Sequence, residues 1–193
     1  AVTFAQAIKK QPITCAEVPG FVVNRILNSG IAEIWRAQEE QGLSIKAIDE
    51  GVGAAKVVPM GPYFLINLLG LDTVLHVAEH LQQSYGDRFY VPATMQKLVA
   101  DGKLGAKTGG DGFYSPQGEA NVPGDAQPDV DELVELLVLK TFVEAALVLE
   151  EGIATHRDID FGMMAGAGLD PRRGDPLALD LDLHRAPERV FVR

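Results

Sequence analysis

The sequence predicts an all-α protein, a helical unit present in two copies behind a short helix–strand segment. Three observations carry that prediction: helical periodicity dominates from Phe21 onward, the order of features in the first half recurs in the second, and only one short stretch reads as a strand. With 193 residues, 47% hydrophobic and 23% charged, the chain is long enough to bury a sizeable core and is neither disordered nor collagen-like in composition. Seventeen Lys and Arg against 27 Asp and Glu leave a net charge of -10, and basic residues nowhere cluster with aromatics, so a nucleic-acid partner is not expected. A lone cysteine, Cys15, allows neither an internal disulfide nor a multi-cysteine metal site, which points to a reducing compartment and the cytoplasm. No apolar run reaches the roughly 18 to 20 residues of a membrane span, because Glu135, Lys140 and Glu144 interrupt Leu133 to Leu149. The opening Ala1-Val-Thr-Phe has neither an initiator Met nor a signal-peptide layout, so a fragment of a longer chain is expected.

Residues 1 to 10 pattern as an amphipathic helix carrying Val2, Ala5 and Ile8, which Pro12 ends. Ile13 to Ala16 is short, apolar and β-branched before the turn Val18-Pro19-Gly20, the pattern of a buried strand. One helix and one strand cannot close a sheet, so residues 1–18 are expected to be the last α/β unit of a domain lying upstream.

From Phe21 a stripe of Val23, Ile26, Leu27, Gly30, Ile31, Ile34 and Trp35 predicts a long helix that Gly42 stops. Ser44 to Ala55 predicts a second helix, and Tyr63 to Leu69 a third that Pro62 opens and Gly70 closes. Asp72, with Leu71 as staple, is the expected cap of a helix bearing Val74, Leu75, Ala78 and Leu81. Pro92 opens one more, to Gly102, and the glycines of Lys103 to Tyr114 make an irregular closing segment. Asn121 to Pro128 is the one linker-like stretch, giving a first helical unit at 19–120, a linker at 121–128 and a shorter second unit at 129–193. Asp129 with Glu132 reads as a capping box for a helix to Glu151, apolar on most sides and so expected to be largely buried. Thr155 with Asp158 caps the next helix, Ile159 to about Ala167, and a last helix starts at Pro176. Glu39-Glu40-Gln-Gly42, Ile48-Asp49-Glu-Gly51 and Gly61-Pro62-Tyr63 recur as Glu150-Glu151-Gly152, Ile159-Asp160-Phe-Gly162 and Gly174-Asp175-Pro176. Two copies are too few for a solenoid and suggest a pair packed face to face about a pseudo-twofold axis.

Among candidate site residues, Asn24 and Arg25 stand out as polar residues at the start of an otherwise apolar helix. Asn24 either presents its amide to a ligand or bonds to the local backbone, and pattern alone leaves both open. Lys103 to Tyr114 lacks the strand-before, helix-after context of a phosphate-cradling loop. His76 and His80 have the spacing of a zinc pair but no third ligand nearby, and Asp158, Asp160, Asp170, Asp175, Asp180 and Asp182 lack calcium-loop spacing. No metal site is expected.

Taken in order, Pro19-Gly-Phe-Val-Val-Asn-Arg-Ile-Leu27, Glu39-Glu40 with Ile48-Asp49, Pro59-Met-Gly-Pro-Tyr63 with Gly70-Leu-Asp-Thr73, and Gly102-Lys-Leu-Gly-Ala-Lys-Thr-Gly109 to Tyr114 resemble the C-terminal helical domain of L-3-hydroxyacyl-CoA dehydrogenases. The second half, through Gly166-Ala-Gly168 and Arg173-Gly-Asp-Pro-Leu177, resembles a second copy. The resemblance implies oxidation of a 3-hydroxyacyl-CoA to the 3-ketoacyl-CoA in fatty-acid β-oxidation, with hydride passing to NAD+, in a bacterial member with tandem C-terminal domains. It implies that Asn24 contacts substrate, while NAD and the His–Glu dyad sit on an upstream Rossmann domain; no Gly-x-Gly-x-x-Gly follows a strand here, so NAD is not expected on this chain. The implied partners are the acyl-CoA substrate and the upstream domain, with a homodimer open, since a second copy in one chain can stand in for a partner subunit. The other class of function these features allow is a non-catalytic dimerisation or acyl-CoA-binding module. The chain departs from the family pattern at Tyr63, where Phe is usual, and at Asp175, and its second copy lacks the Asn–Arg pair.

Overall fold

The computed structural model describes residues 1–168, which are helical apart from shorter connections and two longer non-helical segments, 8–22 and 109–129. Helix α1 is Val2–Ala7, α2 Val23–Gln41, α3 Ile45–Ala54, α4 Pro62–Leu69, α5 Leu71–Tyr85, α6 Ala93–Ala100, α7 Val130–Glu150 and α8 His156–Gly162, the last continued by a π-helical turn Met163–Ala167. The helix expected from Pro176 lies outside the described residues.

Local chemistry explains most boundaries. Gly42 ends α2 in the left-handed conformation, φ 65°, as an αL cap requires. Pro62 starts α4 at a position that needs no N–H. The side chains of Asp129 and Thr155 accept from the backbone N–H of Glu132 and Asp158, so both expected caps form.

Four expectations are corrected. Helix α1 is shorter than residues 1 to 10 and buries nothing. Ile13 to Ala16 is not a strand: the described residues form only isolated bridges, and the segment is tied by Ala16 N–H donating to Ile153 O at 2.8 Å. An apolar β-branched tetrapeptide becomes a strand only beside a partner strand, and none lies among the described residues. Asp72 is not the cap of α5, which begins one residue earlier behind Gly70; its carboxylate instead accepts from Lys107 Nζ at 2.8 Å. Helix α7 is buried along one side only, because its packing partners are α2 and α3; Leu139 and Val143 remain 48% and 54% exposed.

The central seam is α2 against α7. Gly30 makes it close: a Cβ there would stand 2.7 Å from the carbonyl oxygen of Leu137 and 2.6 Å from Thr141 Oγ1. At one end of the seam a large core gathers Ile34, Trp35, Ile48, Tyr63, Leu71, Met95, Phe113 and Leu137. At the other, Val22 and Ile26 meet Ala145, Val148, Ile159 and Met163, with Ile13 and Cys15 at its edge. The Asn121 to Pro128 stretch is pinned to the end of α2: Ser44 N–H donates to Ala126 O at 2.9 Å and Gln38 Nε2 to Pro123 O at 3.0 Å.

Candidate functional site

The start of α2 is assembled from four chain segments. Gly20 turns the chain at φ 76°, where a Cβ would meet Leu81 Cδ2 at 2.8 Å, and Phe21 follows at φ 49° and is 56% exposed. A non-glycine residue in that region costs roughly 1–3 kcal/mol and persists only where its surroundings hold it. Helix α2 then begins without any side-chain cap. Asn24, in its first turn, is exposed, and none of the hydrogen bonds among the described residues uses its side-chain amide; only its carbonyl is engaged, by Asn28 Nδ2 at 2.8 Å. Its amide is therefore neither a helix cap nor a backbone tie in this fold.

Beside it, Arg25 points the opposite way and is fully buried. Its Nε donates to Glu144 Oε1 at 2.6 Å, and its Nη1 and Nη2 donate to Glu151 at 2.8 and 3.0 Å. The guanidinium lies 4.2 Å from the Tyr85 ring centroid, and the Tyr85 hydroxyl donates to Pro19 O at 3.1 Å. Arg88 adds a contact of 3.4 Å to Glu144. Burial pulls the arginine pKa down, but the bonds to Glu151 and Glu144 outweigh it, and the guanidinium holds the Glu151 carboxyl below the usual carboxylate range. Sequence reasoning singled out Arg25 but missed its partners. Glu144 had been visible only as an interruption of an apolar helix, and that was the available signal: a carboxylate on a buried face needs a cation.

A second polar centre lies where α3 meets α4. Asp49 accepts from the N–H groups of Tyr63 and Phe64, both at 2.8 Å, and from the Tyr114 hydroxyl at 2.7 Å. It thus saturates the N-terminus of α4 from another helix. Burial raises the Asp49 pKa despite these donors. Lys46, Asp49, Phe64, Asn67 and Tyr114 line an open cavity of about 590 Å³, but every Asp49 contact is a structural one. Glu39 plays the same part for α6, accepting from Thr94 N–H at 2.7 Å and from Tyr90, whose hydroxyl pKa is pushed up to about 12 by burial and the Glu39 carboxylate.

The other candidates gain nothing from the fold. His76 and His80 are exposed on α5, and no group of three metal-ligating side chains occurs among the described residues. The Lys103 to Tyr114 glycines shape a turn in which Gly105 and Asp111 bridge. Asp158 is used in capping α8, while Asp170, Asp175, Asp180 and Asp182 lie outside the described residues.

Residues 20–115, which hold Asn24, Asp49, Tyr63 and Tyr114, match the family model described as 3-hydroxyacyl-CoA dehydrogenase, C-terminal domain. Residues 20–115 are such a domain. A probable 3-hydroxyacyl-CoA dehydrogenase of Caenorhabditis elegans is 40% identical over 116 residues, covering 59% of this chain and 39% of its own. Similarity reaches into the second half with the fatty acid oxidation complex subunit alpha of Shewanella loihica, 33% identical over 189 residues, 91% of this chain and 26% of that one. The crystal structure of 3-hydroxybutyryl-CoA dehydrogenase from Escherichia coli K12 has the same fold, with a TM-score of 0.72 at 21% identity, over 87% of this chain and 54% of that one. The chain thus spans 39% and 26% of the length of these two sequence relatives.

Proposed function

We propose that this chain is the substrate-wall and assembly part of an NAD-dependent L-3-hydroxyacyl-CoA dehydrogenase of the bacterial type with two C-terminal helical copies, acting on acyl-CoA in the cytoplasm. The copies correspond to residues 19–120 and 129–193, joined through 121–128, with residues 1–18 as the end of an upstream nucleotide domain. The carrying observation is Asn24: within a domain of this family, its amide is exposed and unengaged among the described residues while the neighbouring arginine is locked in place. NAD does not fit the described residues, which offer no strand, glycine turn and helix in succession to cradle a pyrophosphate. What these residues supply is orientation: a primary amide has two donors and one acceptor with which to hold a substrate oxygen in line with a base on the upstream domain.

Asn24→Ala in the full-length enzyme tests this. The loss of one positioned hydrogen bond in the transition state costs about 2–4 kcal/mol, a fall in kcat of roughly 30- to 1000-fold, with the thermal midpoint unchanged. An unchanged kcat overturns the substrate-facing role. A full-length protein that binds acyl-CoA but turns over no 3-hydroxyacyl-CoA would instead make the chain part of a non-catalytic binding module.

A further inference from the structure

The buried ion cluster behind Asn24 joins parts of the chain that are far apart in sequence. Arg25 belongs to α2, its carboxylate partner Glu144 to α7 and Glu151 to the position just past that helix, and Tyr85 to the end of α5. Each of its three nitrogens is used, Nε toward Glu144 and the other two as a fork on Glu151. This saturation leaves the guanidinium one geometry, because a fork-on-carboxylate contact fixes both direction and plane.

The cluster also grips the turn that precedes the helix. Through its hydroxyl, Tyr85 holds Pro19 O, and under its ring face it holds Arg25. Arg25 N–H donates to Gly20 O at 3.1 Å and Phe21 N–H to Val18 O at 3.0 Å, closing the loop on both sides of Phe21 at φ 49°. A residue held in the left-handed region needs this kind of enclosure. Since the helix has no side-chain cap, these contacts are what set the direction of its first turn.

From this we infer that Arg25 is a positioning residue: clamped by Glu144 and Glu151 of the second half, it fixes the first turn of α2 and so aims the Asn24 amide. The inference rests on the reading of Asn24 as substrate-facing. It gives the second half a role in the site itself, because the carboxylates that hold Arg25 come from α7 and the residue just beyond it. Substrate orientation then depends on the α2–α7 seam being closed.

A double-mutant cycle in the full-length enzyme separates this from a purely structural role. Arg25→Lys keeps the charge but cannot reach both carboxylates with a planar fork. Its kcat should fall by about 10- to 100-fold, the penalty of displacing a reacting partner by an ångström or so. Glu151→Gln, at a partner 41% exposed, should lower kcat less and fold normally, since Glu144 still pairs with Arg25. Both effects should vanish in an Asn24→Ala background, where no amide remains to be aimed. Independently of turnover, hydrogen exchange at the Arg25 and Phe21 amides should quicken in Glu151→Gln without a matching fall in thermal midpoint. If the double variants lose the product of the single losses, or if Glu151→Gln changes neither kcat nor those amides, the positioning role is wrong while Asn24 keeps its own. An unchanged kcat in Asn24→Ala alone removes the substrate reading and this role together.

Discussion

Two polar centres in this molecule look alike on paper and are built for different ends. Around Arg25 a buried cation meets two carboxylates and a tyrosine supplied by segments as distant as Glu151; around Asp49 a half-buried anion meets two backbone N–H groups and a tyrosine, all within the first half. The Asp49 bonds end on the backbone of α4 and complete that helix. Arg25's bonds end on side chains of other elements, and the residue beside it faces solvent. A shifted pKa does not mark the site: Asn24, the residue proposed to face substrate, has no titratable atom, and the carboxylate whose pKa burial raises, Asp49, caps a helix.

Removing the charge at each centre should give the largest effects. Arg25→Met leaves Glu144, 2% exposed, with only the longer contact to Arg88, and truncating one member of a buried ion pair costs about 3–5 kcal/mol. Urea denaturation should show that loss as a lower midpoint at unchanged slope. Asp49→Asn should cost less, about 1–3 kcal/mol, because one amide oxygen replaces two carboxylate oxygens and the Nδ2 hydrogens oppose N–H groups that need an acceptor. A loss at Asp49 as large as at Arg25 would mean that α4 depends on its remote cap far more than a capping contact allows.

Acidification sharpens the same contrast, since the two centres have opposite signs. Burial raises the Asp49 pKa above its unfolded value of 3.8, so the folded chain binds this proton more tightly and the group's contribution declines as pH rises through that window. The Arg25 bond lowers the Glu151 pKa below 4.5, so its contribution is present above that value and is lost as pH falls. Relative to wild type, the deficit of Asp49→Asn should therefore grow between neutral pH and about pH 4, while that of Glu151→Gln should shrink. At a partly exposed carboxylate the second deficit stays under about 1 kcal/mol. Denaturant titrations of the three proteins at both pH values check the signs.

How far the sequence disclosed these centres follows from the range of the forces involved. Caps such as Asp129 with Glu132 and Thr155 with Asp158 act over three residues, and both were legible. Pro62 and Gly42 were legible for the same reason: each restricts its own backbone. The Ile13 to Ala16 strand failed because a strand is a property of two segments, and Asp72 failed because Lys107, 35 residues away, competes for it. The outward stripe of Leu139 and Val143 could not be foreseen, since hydropathy registers what a face could cover and not what packs against it. At the site, the Asn24–Arg25 pair was visible as polar residues on an apolar stripe. Its partners at Glu144 and Glu151 lie 119 and 126 residues away and no local pattern names them.

The smallest expected effect is a gain. Tyr63 sits beside the Asp49 centre, 1% exposed, edge-on to Phe113 with ring centroids 4.9 Å apart. Its hydroxyl has no hydrogen-bond partner among the described residues, although its backbone N–H is bound by Asp49. Burial pushes the phenol pKa far up, so the group is a neutral hydroxyl that has given up water and received nothing in exchange. The family resemblance puts phenylalanine at this position. Tyr63→Phe keeps the ring, the aromatic pair and the Asp49 bond, removing only the unsatisfied oxygen. It should stabilise the chain by about 1 kcal/mol, a rise of roughly 2–4 °C in thermal midpoint for a chain of this size. The corresponding change at the other centre, Tyr85→Phe, deletes a hydroxyl that is bonded to Pro19 O and should lower the midpoint by a similar amount. Opposite signs for the same chemical deletion would place the difference between the two centres in hydrogen-bond satisfaction; a destabilising Tyr63→Phe would mean that its hydroxyl has a partner.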